Sequence, residues 1–217
     1  DNIPHIGGIA DEMTMFRTCK TNLFNHAPAK LFMNTGTGIF GRPSMGSWVT
    51  YGIGSETQSL PGFVVLHSGS RGPRGGAANW ASGFLPTTYQ GVPLRTQGDP
   101  VLYLRSPKDV SRETRGDQIG LLGVLNRHHF ERVNDPEILA RTKQYELAFR
   151  MQASVPELAD ISREPTGVHE AYGAEPGKVS FANNCLLARR LSERGVRFVQ
   201  LYEKGWDSHG EISTQHP

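Results

Sequence analysis

Residues 180–193 and 196–202 are joined by a single tight turn, and together they leave this chain few ways to fold. The first stretch, SFANNCLLARRLSE, sets Phe181, Leu186, Leu187 and Leu191 at helical spacing, with Gly195 in the usual stop position. The second, VRFVQLY, is the strongest strand pattern in the chain. Residues 62–67, GFVVLH, form a continuous apolar run of strand length, the pattern of a strand covered on both faces. Strands separated by helices imply an α/β class: a mainly parallel sheet covered by helices.

The remaining elements are less sharply marked. Residues 13–18 are a short strand candidate with little alternation, and residues 3–10 a short helix candidate. APAKLFMNT (27–35) reads as a helix, with Pro28 tolerated in its first turn and Gly36 ending it. Ser44 is placed to cap a second helix over 45–51. Between about 68 and 106 the periodicity fades into an irregular insertion of loops with room for one hairpin. Helical patterning returns over 110–130 and 136–153, and Pro156 marks the start of a further turn. The sequence stops a few residues past its last strand, with no helix to cover it. The expectation is therefore a partial domain over 1–217, with the C-terminal half absent.

Composition narrows the function. Hydrophobic residues make up 37% and charged residues 20% of the chain, which suits a globular fold. No apolar run is long enough to span a bilayer, and no basic-then-apolar stretch opens the sequence. A formal net charge of +2, with dispersed basic residues, points away from nucleic acid. Cys19 and Cys185 form no CxxC pair and read as buried free thiols. The 25 glycines and 14 prolines imply long loops between regular elements, where sites tend to sit.

Three stretches carry candidate chemistry. Trp206-Asp207-Ser208-His209-Gly210 follows the last strand, and loops at the carboxyl ends of parallel strands form active sites. Asp207 and His209, two apart, leave the same side of an extended segment; carboxylate plus imidazole suits zinc or another divalent metal. An Asp turn beside a surface histidine fits the spacing too. His26, between the first strand candidate and a helix, sits at a second strand-end loop, where helix amides favour an anion. Local spacing favours a plain capping role for Asn25 or His26. Arg42 and Ser44, in GRPSMG, could hold a sulfate or phosphate, or be a surface arginine and a cap. His128 and His129, adjacent in a helix, read as structural. GTGIFG (36–41) matches GxGxxG in letters only, since it follows a helix-like run.

The strings FNHAPAKLFMNTGT, GRPSMGSWVTYGIGS, LPGFVVL, SGFLPTTYQGVPLRTQGDPVLYL, SFANNCLLARRLSERGVRFVQLY and GWDSHG together resemble the family named domain of unknown function 1501. The resemblance runs along practically the whole chain. It implies an alkaline-phosphatase-like fold, kinship with sulfatases and phosphodiesterases, and metal-dependent hydrolysis of sulfate or phosphate esters, often by exported bacterial proteins. It thus implies a periplasmic or secreted setting. Asp207, His209 and His26 would be metal ligands for zinc or calcium, and Arg42, Ser44 and Asn25 would contact substrate. Relatives carry further ligands upstream of residue 1 and beyond Pro217, so a fragment like this one is expected to be inactive. Their nucleophile position falls near 21–23, where Thr21 is the only hydroxyl. The alternative is a non-catalytic module binding sulfated or phosphorylated glycans on the same fold.

Overall fold

The computed structural model describes residues 4–69, 72–95, 98–101, 106–203 and 210–211 of the 217. Seven helices are described: α1 (Pro4–Gly7), α2 (His26–Thr35), α3 (Met45–Ile53), α4 (Arg112–Val133), α5 (Pro136–Ala159), α6 (Thr166–Tyr172) and α7 (Phe181–Glu193). Three strands, β1 (Phe63–His67), β2 (Val92–Leu94) and β3 (Phe198–Tyr202), form one all-parallel sheet in the order β2-β1-β3. The α/β class is correct.

β1 is central because its side chains are apolar on both faces. Phe63, Val64, Val65 and Leu66 are all at most 1% exposed, each burial contributing about 1.5–3 kcal/mol. Val64 and Leu66 pack with Met151, Val155 and Leu158 of α5 and with Leu187 and Leu191 of α7. Phe63 and Val65 look the other way, onto Trp80, Phe198 and Tyr202. There α3 comes so close that a Cβ on Gly46 would lie 2.6 Å from the Phe63 ring. The result is a helix–sheet–helix sandwich with β1 at its centre.

The turn between α7 and β3 behaves as its sequence implies. Ser180 caps α7 by accepting from the Asn183 amide, and Gly195 takes φ +81° just past the helix. Its carbonyl accepts from the Thr57 amide at 3.2 Å and the Ser55 hydroxyl at 3.0 Å, and a Cβ there would crowd Glu56 and Thr57. Strand β3 then runs in register with β1, Phe63 opposite Phe198 through His67 opposite Tyr202.

Five expectations need correction. Residues 13–18 are coil and turn, not a strand; Met15 and Phe16 are more than 70% exposed, since the segment has no alternating face to bury. The region 68–106 holds no hairpin among its described residues. It supplies β2, a third parallel strand, whose Pro93 is tolerated because the strand lies at the sheet edge. Pro156 starts no new turn: α5 continues through it to Ala159, held by Val155 and Leu158, both fully buried. The cysteines are free but not buried, Cys19 being exposed and Cys185 half-buried. The short helix at 3–10 is cut to α1 followed by a 3₁₀ turn at Ala10–Glu12.

Candidate functional site

Helix α2 walls a crevice at the carboxyl end of the sheet, and the first turn of α7 reaches the same end through Asn184. β1 leads into Ser68 there, and β3 delivers Tyr202 and Glu203. A cavity of about 400 Å³ is lined by His26, Lys30, Asn34, Ser68, Tyr202 and Glu203, among others. Ser68 is held from behind, where Asn184 of α7 donates a 3.0 Å hydrogen bond to its hydroxyl. Asn184 is fully buried, and its side-chain oxygen meets no partner among the described residues.

A relay of amides fixes the cavity floor. Gln200 of β3 donates to Asn34 of α2, Asn34 donates to Asn79 at 3.3 Å, and Asn79 donates to the carbonyls of Arg74 and Gly76. Sheet, helix and glycine-rich loop are thus tied through three side chains. Beside them, the rings of His67, Trp80 and Tyr202 cluster with centroids 5.3–6.1 Å apart. Burial holds the His67 imidazole below its ordinary pKa, which favours the neutral ring. Burial also pushes the Tyr202 phenol well above its usual value, against a smaller opposing effect of Asn34 and Gln200 beside it. Its hydroxyl meets no partner of good geometry among the described residues. Both groups are neutral at pH 7.

The candidate residues fare differently. Asp207 and His209 lie outside the described residues. His26 does reach the cavity, but as the first residue of α2 and with no strand before it. Asn25 is the cap, accepting from the Ala27 amide at 3.4 Å. Since Ala27 is thereby engaged and Pro28 has no N–H, α2 offers an anion little of the usual amide cradle. Positive charge in the cavity comes instead from Lys30. Ser44 points inward, fully buried, its hydroxyl 2.9 Å from that of Ser47, and makes no side-chain cap. Arg42 stands over the Phe84 ring, 5.9 Å from its centroid, and does not line the cavity. Thr21 accepts from the Leu23 amide and is not among the lining residues. His128 and His129 are exposed on α4.

Lys30, Ser68, Asn184, Tyr202 and Glu203 had no motif to announce them. Three of them stand at the last residue of a strand or just past it, which is the only signal the sequence carries for them.

The fold is thus an α/β domain with a small all-parallel sheet covered by helices and a crevice past the carboxyl ends of its strands. The chain belongs to the family described as protein of unknown function (DUF1501), whose model matches residues 1–217. Comparison with curated proteins and with solved structures gives no match. No helix among the described residues is long and apolar enough to cross a membrane.

Proposed function

We propose that this crevice is one wall of a metal-dependent site for sulfate or phosphate esters on an alkaline-phosphatase-like domain. One observation carries the reading. His26 and Lys30 face Ser68, Tyr202 and Glu203 around a single cavity, and past Glu203 the chain runs directly into the stretch with Asp207 and His209. Imidazole and carboxylates suit zinc, and carboxylates suit calcium. The described residues do not make a ligand set alone, because no group of three or more His, Cys, Asp or Glu comes together among them. His26, Asp207 and His209 would hold the ion, which would supply a polarised ester oxygen or an activated water. The chain's own contribution is positioning: Lys30 neutralises an ester oxygen, and the Tyr202 phenol, kept neutral, donates to another.

A second reading, a non-catalytic module holding sulfated or phosphorylated glycans, is favoured by the hydroxyls at hand. Thr21, the one hydroxyl at the expected nucleophile position, accepts from the Leu23 amide and does not line the cavity, and Ser68, which does line it, accepts from Asn184.

Calorimetric titration of zinc and of calcium tests the metal reading, using the wild type, Asp207→Ala/His209→Ala and His26→Ala. Loss of binding in the double variant and weakening in His26→Ala are expected. Equal binding by all three contradicts the site. Turnover of aryl sulfate or aryl phosphate by the metal-loaded protein separates enzyme from module.

A further inference from the structure

Helix α4 is apolar on two sides, and α5 covers only one of them. On the inner side Ile119 is buried, Arg112 stands over the Phe149 ring at 4.5 Å, and Asn126 donates to the Thr142 hydroxyl at 3.0 Å. A Cβ on Gly116 would lie 3.4 Å from Phe149, and one on Gly123 3.7 Å from Thr142. The outer side carries Leu121, Val124 and Leu125, which are 61%, 67% and 56% exposed. A helix that is apolar on both sides is one that packs on both sides.

The charges flanking these residues define what fits there. Glu113, Asp117, Leu121, Val124, His128 and Arg132 follow one another at intervals of three or four residues, so they share one stripe of the helix. Its four polar members are all exposed. The two acids precede the apolar centre, and the two basic side chains follow it. Laid antiparallel on a copy of itself, with the two-fold axis between Leu122 and Gly123, the stripe sets Glu113 opposite Arg132, Asp117 opposite His128 and Leu121 opposite Val124. The acid beside the basic end, Glu131, falls opposite the Thr114 hydroxyl. His128 turns Nδ1 toward Glu131 of its own helix at 3.6 Å, which leaves Nε2 for the facing carboxylate. A parallel arrangement sets each of the four charges against its own like and is selected against.

We propose that α4 is a self-association surface, two copies of this chain packing antiparallel along the stripe centred on Leu121 and Val124. The contact is isologous, so each complementary pair occurs twice about the axis. Asp117, Leu121, Val124 and His128 repeat the four-three-four interval of helices that pack side by side. A helix of 22 residues is about 33 Å long. That length gives a small interface, with a dissociation constant of about 10 µM. The surface stands apart from the crevice and needs no metal.

Sedimentation velocity of the full chain, from about 1 to 300 µM, is the test. The wild type passes from monomer to dimer and goes no further. Leu121→Glu/Val124→Glu weakens the dimer at least about a hundredfold. Both positions are exposed, so circular dichroism of the variant matches the wild type. Glu113→Arg weakens the dimer about tenfold by placing like charges opposite each other twice. The swap Glu113→Arg/Arg132→Glu restores wild-type affinity. A monomer throughout overturns the proposal and leaves the stripe to a different protein. So does a dimer indifferent to Leu121→Glu/Val124→Glu, and so does association in which the swap fails to recover what Glu113→Arg loses.

Discussion

Asn184 on α7 and Ser68 just past β1 are joined by a 3.0 Å hydrogen bond, at 0% and 5% exposure. The bond spans 116 residues of sequence and ties the start of a helix to the end of the central strand. Asn184→Ala strands the Ser68 hydroxyl in a buried place, at a cost of about 1–3 kcal/mol. A lowered thermal midpoint with unchanged secondary structure is the expected result. Asn184→Ala melting like the wild type would show the bond to be dispensable.

Two ion pairs should differ sharply in worth. Arg190 and Glu164 lie 2.6 Å apart with side chains only 10% and 13% exposed, and Arg190 also donates to the Glu157 carbonyl. Glu164→Ala leaves that guanidinium buried without its partner and costs about 3 kcal/mol. Lys178 and Glu175 are 66% and 63% exposed, so Lys178→Ala changes stability by less than about 1 kcal/mol. Urea denaturation of the two variants gives the comparison.

Close packing of α3 on the sheet rests on Gly46. A methyl group there meets Phe63 at 2.6 Å and Phe198 at 2.7 Å, so Gly46→Ala destabilises by about 1–3 kcal/mol through overpacking. The double variant Gly46→Ala/Phe63→Leu recovers part of the loss, because the smaller side chain vacates the contested space. Additive losses in the double variant would place the effect elsewhere.

Stability also depends on pH through His67. Its folded-state pKa lies below the ordinary value of 6.5 because burial disfavours the imidazolium. The unfolded chain therefore takes up a proton first as pH falls. The His67 contribution is intact above pH 6.5 and is lost below it, down to the folded-state value. Tyr202 acts at the opposite end: its pKa is raised from 10.0, so stability falls as pH climbs beyond 10. Melting His67→Gln alongside the wild type from neutral to acid pH should show a flatter decline in the variant.

What the sequence made legible was periodic. GFVVLH and VRFVQLY became adjacent parallel strands because apolar runs of strand length need burial on both faces, and α7 kept its predicted start and stop. Residues 13–18 failed because an apolar run without alternation or a partner edge does not define a strand. β2 was missed because VPL is three residues long and contains proline, and only its pairing with Val64–Leu66 makes it a strand. At the crevice, His26 was singled out by its position at a helix start and does line the cavity, though no strand precedes it. Ser44 and Arg42 had local spacings that fitted a cap and an anion contact. Their partners, Ser47 with Ala81 and Phe84, were set by tertiary packing that local patterns do not encode. Lys30, Tyr202 and the amide relay are likewise assembled from three distant segments.

The most direct measurement of the central claim follows the imidazole NMR signals of the eight histidines during a zinc titration. His26 and His209 should shift together and saturate at one equivalent, with His128 and His129 on α4 unmoved. Saturable shifts that leave His26 untouched, or equal drift of all eight signals, would contradict a metal site at the carboxyl end of this sheet.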